Sequence, residues 1–320
     1  MKPTTRLLAC AALVLLFTSQ VAPARAASAA RFAGAAPAAA LAAARFAAVS
    51  TVDVAAPASQ DAPTAGNPFP VVIPLNLDAK GVQSVAAADF DNDGDDDYLM
   101  GNLGENHRFN VSDAYPLQMY AIDLDNNGSL EPLFTAYWKD DKGKMTEYPV
   151  NYFDELAGQT KFFQKLFKNY KEYSYANIHD MLDAATLKRL EFKLSINTTS
   201  SYIVWNDKGT FRFEKMPPSM QVSPITRMLV RDLNGDGIPD AVVGGNDYSF
   251  DIASGYYDAN KGFVLLSKGP KQAFDVRPPS KSGLLLKGMI QSLQFVEGDT
   301  LMVVAGVNRD RILVYKQTSK

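Results

Sequence analysis

The feature that most constrains this chain is a short acidic loop that occurs three times, each time between two apolar runs. Every copy has an acid or amide at positions 1, 3 and 5, glycine at position 6 and an acid at position 9. We name the copies loop 1 (89–97), loop 2 (123–131) and loop 3 (232–240). Because the flanking runs are short and rich in Val, Leu, Ala and Met, each copy predicts a strand–loop–strand unit. A unit repeated in this way predicts a mainly β array.

Two further segments complete the predicted organisation. Apolar runs at 291–295 and 301–308 repeat the two strands of the unit, but the residues between them keep little of the acidic spacing. The segment at about 151–190 has few turn-forming residues and shows helical spacing. It predicts two or three short helices inserted into the β domain.

The spacing of the loops suits a hard divalent cation. Side chains on alternate residues of a tight loop can direct oxygen atoms to one point, and the carbonyl of position 7 can add another. Position 12 is Met100, Phe134 or Val243 where an EF-hand needs Glu, so these are not EF-hands. We predict up to three Ca²⁺ sites. The predicted ligands are Asp89, Asp91, Asp93, Asp95, Asp97, Asp123, Asp125, Asn127, Ser129, Glu131, Asp232, Asn234, Asp236, Ile238 and Asp240, with Asp95, Ser129 and Ile238 acting through their carbonyls.

A simpler interpretation is that clusters of Asp, Asn and Gly are good turns. One such loop leaves the two interpretations about equal, whereas three loops of one spacing favour calcium. Magnesium fits less well because it tends to keep several waters. Since each empty loop crowds like charges together, we expect bound calcium to stabilise the fold.

The strand, acidic loop, strand and Gly-Asn pattern resembles the FG-GAP/VCBS repeat of integrin alpha-chain β-propellers. The segments 101–106, 202–211 and 255–266 are similar to the C-terminal blades of bacterial VCBS-repeat proteins related to cartilage acidic protein. The resemblance covers about 67–320 and implies a calcium-stabilised β-propeller of four-stranded blades with a helical insert. It leaves room for only about four blades where integrin-like propellers have seven. The array is therefore expected to be a fragment, to remain open, or to be completed by oligomerisation or companion blades.

The N-terminal region predicts export. Lys2 and Arg6 precede an apolar run at 7–21, and Ala24-Arg25-Ala26 matches a signal-peptidase site, so we predict a signal peptide at 1–26 with cleavage after Ala26. Residues 27–66 are rich in Ala and Pro and predict a linker, which leaves 67–320 as the folded domain. We expect the protein to be periplasmic or secreted, with no membrane span.

Composition narrows the function classes. A net charge of -3 predicts no nucleic-acid binding. The favoured function is a non-catalytic scaffold that binds an extracellular protein or glycan. A basic stripe predicted on the helical segment, Lys161, Lys165, Lys168 and Lys171 beside Phe163, Leu166, Phe167 and Tyr170, is either a contact surface or an ordinary amphipathic face packed on the β domain.

The alternative is a hydrolase or lyase that acts on an extracellular polysaccharide. Such an enzyme needs two suitably spaced carboxylates outside the calcium loops. The candidates are Asp154, Glu155, Asp180, Asp183 and Glu191, with His107 as a possible base and His179 as a structural residue. None of them has a diagnostic spacing.

Overall fold

A computed structural model describes residues 82–190, 192–249, 254–270 and 272–318. The predicted signal peptide, the linker and the first part of the predicted domain lie outside the described residues. The strands are β1 (Ser84–Ala88), β2 (Asp97–Gly101), β3 (Leu117–Ile122), β4 (Glu131–Lys139), β5 (Met145–Pro149), β6 (Phe192–Ile196), β7 (Tyr202–Asp207), β8 (Thr210–Lys215), β9 (Ile225–Arg231), β10 (Asp240–Gly245), β11 (Phe263–Leu266), β12 (Asp275–Arg277), β13 (Ile290–Val296), β14 (Met302–Val307) and β15 (Ile312–Lys316).

The helices are short. They are α1 (Phe153–Gln159), α2 (Lys161–Leu166), α3 (Tyr170–Tyr175), α4 (Ile178–Met181), α5 (Ala184–Leu187) and α6 (Pro279–Ser282), with a 3₁₀ turn at Pro218–Met220. In the described part of the chain, no helix has the length and apolar character needed to cross a membrane.

The chain divides into two compact units. The inserted unit is Phe109–Thr198, and the main unit combines Gly81–Arg108 with Thr199–Lys320. The inserted unit therefore separates β2 from β7, although these strands are hydrogen-bonded neighbours in one antiparallel sheet. This nesting was not predicted, because the pairing of β2 with β7 across the inserted residues leaves no local sequence signal.

In the main unit, the described strands form three antiparallel sheets, in the orders β1-β2-β7-β8, β12-β11-β10-β9 and β13-β14-β15. The second sheet is covered on both faces. Ala241 and Val243 of β10 pack in one core cluster with Leu99 of the first sheet. Val242 faces the opposite way and packs with Leu293 of the third sheet. Burial on both faces explains why every residue of β10 is buried and why the strand, after Asp240, lacks the apolar–polar alternation of a half-exposed strand.

The inserted unit contains the fourth sheet, in the order β5-β4-β3-β6. One face carries the helices: Tyr120, Ile122 and Leu133 of the sheet share a core cluster with Leu156 and Phe163. Met119 and Ile196 belong to a smaller cluster that excludes the helical residues. The inserted unit is thus a sheet with helices packed on one face.

The mainly β prediction is confirmed, and so are the strands on both sides of every acidic loop. Five short helices, α1–α5, lie in the segment for which two or three were predicted. The chain leaves helical geometry between α2 and α3 at Phe167, where φ is -126° and ψ is 134°. The four lysines of the predicted stripe do not share one helix: Lys161 and Lys165 lie in α2, Lys168 lies in the bend after it, and Lys171 lies in α3. Closure of the sheets into a propeller stays a prediction.

Candidate metal centres

The three loops form similar tight turns that are closed by hydrogen bonds to position 1. In each, the carboxylate of position 1 accepts backbone N–H groups from the far side of the turn. Asp89 accepts from Asp93 and Gly94, at 3.0 Å each. In loop 2, Asp123 accepts from the same two positions, Asn127 and Gly128. In loop 3, Asp232 accepts from position 4, Gly235, and from position 6, Gly237. The carboxylate of position 1 therefore closes the turn, and the same hydrogen bonds fix its orientation.

Positions 4 and 6 adopt the left-handed backbone conformation, which explains their composition. In loop 1, Asn92 has φ 59° and Gly94 has φ 100°. Only Gly enters this region without strain, and Asn tolerates it better than most residues. The corresponding pairs are Asn126 with Gly128 and Gly235 with Gly237, all with positive φ. The local sequence thus specifies the tight turn that brings alternate side chains together.

The acid at position 9 is buried, and its carboxylate is hydrogen-bonded to the start of the loop. Asp97, Glu131 and Asp240 are 1%, 5% and 0% exposed. Each accepts the N–H of position 2 in its own loop, at 3.1, 2.8 and 2.9 Å respectively. Because a buried carboxylate is costly unless it is hydrogen-bonded or neutralised, the burial of this acid needs a compensating group.

Two loops bring three carboxylates to one point. One oxygen from each of Asp89, Asp91 and Asp97 lies within 4.8 Å of the others, and the same holds for Asp123, Asp125 and Glu131. Among the described residues, Asp232, Asp236 and Asp240 do not form such a group. Loop 3 carries an amide at position 3, and the Asn234 amide nitrogen donates to Asp236 at 2.8 Å. Positions 1, 3 and 9 thus converge in loops 1 and 2, and the remaining loop residues stay predicted ligands.

The electrostatics of the clusters favour a positive occupant. Burial raises the pKa of Asp97 to about 6, and the charges of Asp91 and Asp93 add to the shift. Burial raises the pKa of Glu131 to about 7, with further contributions from Asp125 and Asp123. Both shifts mean that the folded protein disfavours the charged carboxylate. A bound cation reverses that preference, and an all-oxygen donor set suits a hard cation such as Ca²⁺.

These shifts predict that the free energy of unfolding depends on pH in chelator and hardly at all in saturating calcium. In chelator, the folded state binds more protons than the unfolded state between the ordinary carboxyl pKa and about pH 7, so lowering the pH from about 8 to about 5 should raise stability. In saturating calcium this gain should disappear, because a bound ion keeps Asp97 and Glu131 deprotonated, as they are in the unfolded chain over most of this range. Urea unfolding midpoints across this range check both slopes, and equal slopes in chelator and calcium contradict the prediction.

The catalytic candidates have structural partners where they are described. Glu155, Asp180 and Asp183 accept backbone N–H bonds at the starts of α1, α4 and α5. Asp154 lies near the Tyr170 hydroxyl and raises its pKa. His107 Nε2 lies 2.8 Å from the Thr199 hydroxyl, and exposed His179 donates its backbone N–H to the Asn177 side chain. Glu191 lies outside the described residues. The positions that are described therefore favour helix capping over catalysis for three of the carboxylates.

Sequence reasoning missed two residues beside loop 2. The Thr160 hydroxyl lies 3.0 Å from the Asp125 carboxylate, and the Arg189 guanidinium contacts the Asp123 carbonyl. These residues lie 35 and 66 positions from their partners. Neither belongs to a recognisable motif, so only the folded arrangement identifies them.

No family model matches this chain, and no curated protein matches it significantly. The resemblance to FG-GAP/VCBS repeats therefore rests on the loop spacing and its flanking strands. The geometry by itself supports two acidic clusters that could hold a metal ion.

Proposed function

We propose that this protein is an exported calcium-binding module of the FG-GAP/VCBS type, which binds an extracellular protein or glycan without catalysing a reaction. The observation that carries the proposal is the convergence of three carboxylates in loop 1 and again in loop 2, each group including a buried acid. Hydrogen bonds from backbone N–H groups orient these carboxylates but add no formal positive charge. Calcium supplies that charge and accepts six to eight oxygen ligands.

Loop 3 is the weaker of the proposed sites. It shares the left-handed turn, but its position 3 is Asn234, so it lacks one of the three carboxylates that converge at positions 1, 3 and 9 of loops 1 and 2. An amide at position 3 also supplies less negative charge than the Asp of loops 1 and 2. We therefore expect loops 1 and 2 to be occupied at lower calcium concentration than loop 3.

The sheets suit a scaffold that presents loops for binding. In the main unit, consecutive sheets share core clusters face to face, as consecutive blades do in a propeller. Loops on a rigid β framework are common binding surfaces because the framework holds them without needing their own core. In this proposal the array is an incomplete propeller that is completed by further blades or by a second copy.

Calcium titration of the exported protein, measured by calorimetry after chelator dialysis, tests the metal sites. Wild type should bind at least two ions with dissociation constants no weaker than about 10⁻³ M, the weak limit for extracellular calcium modules. Asp91→Asn and Asp125→Asn should each weaken one site by tenfold or more, about 1.4 kcal/mol.

Asp96→Asn provides the matched control for Asp91→Asn. Asp96 lies at position 8 of loop 1, is exposed, and is not a predicted ligand. The Asp96→Asn substitution removes one negative charge from the same loop as Asp91→Asn does. Absence of binding at millimolar calcium, equal binding of magnesium, or an equal loss in Asp96→Asn would contradict the proposal.

A further inference from the structure

Loop 2 is bonded directly to the helical part of its own unit. The Thr160 hydroxyl donates to Asp125 Oδ2 at 3.0 Å. Arg189 Nη1 donates to the Asn126 side-chain oxygen at 3.0 Å and to the Asp123 carbonyl at 3.3 Å. These contacts reach three of the first four residues of the loop, and the one from Thr160 is made to a clustered carboxylate, that of Asp125.

Thr160 occupies the joint between two helices. It is the C-cap of α1 and the N-cap of α2, where its hydroxyl oxygen accepts the N–H of Phe162. Its side chain is buried, with 5% exposure. A shift of the Asp125 carboxylate therefore acts on the residue that sets the path of the chain from α1 into α2.

The loop and the helices also share one core. Leu124, at position 2 of loop 2, packs in the cluster that contains Leu156, Phe163 and Ile178. The N–H of Leu124 donates to Glu131, the buried acid of the same metal cluster. Polar contacts on one side of the loop and apolar contacts on the other thus connect the cluster to α1, α2 and α4.

Loops 1 and 3 are anchored differently. The second oxygen of Asp97 accepts the N–H of Asn206, and that of Asp240 accepts the N–H of Ser267, at 2.8 Å each. Asn206 lies in β7, and Ser267 directly follows β11. Both are at the third strand of the sheet to which the loop belongs. These bonds connect the two loops to their own sheets, whereas loop 2 connects to helices.

We infer that the cation site of loop 2 and helices α1–α5 are energetically coupled through Thr160 and Arg189, so that calcium at loop 2 stabilises the docked helices and the docked helices strengthen calcium binding there. The inference rests on the proposed calcium function and assigns loop 2 a role that loops 1 and 3 lack. The reciprocity follows from linkage, since two binding or folding events that favour each other do so by the same factor.

Hydrogen exchange of the full exported protein, with and without calcium, tests the coupling. Calcium should slow exchange of amides at 153–187 by about tenfold in wild type, a typical coupling strength. Asp125→Asn should abolish this slowing. Asp91→Asn, the same change at the same position of loop 1, should retain it.

Thr160 variants test the polar connection itself. Thr160→Val removes the hydroxyl at nearly constant volume and should weaken calcium binding at loop 2 by about threefold to tenfold, the usual value of one hydrogen bond. Thr160→Ser keeps the hydroxyl and should restore both the affinity and the calcium-dependent slowing. Arg189→Met removes the second connection without altering a helix cap. It should reduce the slowing even if Thr160→Val unfolds α2.

The outcomes separate this inference from the proposed function. If wild type binds no calcium, both are overturned. If loop 2 binds calcium but amides of β3 and β4 are protected and those of the helices are not, only the coupling is overturned. An equal loss of helix protection in Asp91→Asn and Asp125→Asn also overturns it.

Discussion

Adding calcium to the chelator-treated protein is expected to raise its melting temperature by about 10–20 °C. A ligand at 100 times its dissociation constant contributes about 2.7 kcal/mol per site. Two proposed sites lie in the main unit and one lies in the inserted unit, so each unit gains stability from its own loops. About 3–5 kcal/mol shifts the melting temperature of units of this size by the stated amount.

Differential scanning calorimetry in millimolar calcium and in excess EDTA measures this effect. Asp125→Asn should reduce the calcium shift of the inserted unit, and Asp91→Asn that of the main unit. If the units melt separately, the two variants therefore affect different transitions. Magnesium at equal concentration is the control for ionic strength and ion charge. A shift below about 2 °C, or one that magnesium reproduces, is incompatible with calcium sites that stabilise the fold.

Phe163→Ala is expected to destabilise the inserted unit by about 3–5 kcal/mol, the usual cost of removing a buried Phe ring. Phe163 is 0% exposed and packs in the cluster that joins α1 and α2 to the sheet. The substitution leaves a cavity and removes apolar contacts from both layers of the unit. Chemical denaturation followed by a probe in each unit should show the loss in the inserted unit.

Leu166→Ala provides the control from the same helix. Leu166 is 38% exposed, and its removal should cost less than about 1 kcal/mol. This pair also decides how the aromatic residues of the helical segment are used. A Phe163→Ala protein that keeps its stability but loses a ligand would show recognition by that residue rather than packing.

Local sequence was sufficient to predict the acidic loops because the hydrogen bonds that close each turn are local. The N–H groups that donate to the carboxylate of position 1 are three to five residues away from it. The N–H of position 2 that donates to the acid of position 9 is seven residues away. Asn or Gly at position 4, Gly at position 6 and apolar strands on both sides therefore specify the turn without help from distant residues. The hydrogen bonds at the helix starts are local too. Glu155 and Asp180, which the sequence offered as catalytic candidates, accept backbone N–H groups three residues before them.

Sequence alone thus determined the mainly β class, the three loops and the positions of their strands. Tertiary structure decided that the Phe109–Thr198 unit is inserted in the chain between two paired strands of one sheet. It also decided that three carboxylates converge in each of loops 1 and 2, and that Thr160 and Arg189 contact loop 2. The physical reason is the range of the interactions. Turns and strand periodicity depend on neighbouring residues, whereas strand pairing across an insertion and contacts from Thr160 and Arg189 depend on which surfaces the packed core brings together.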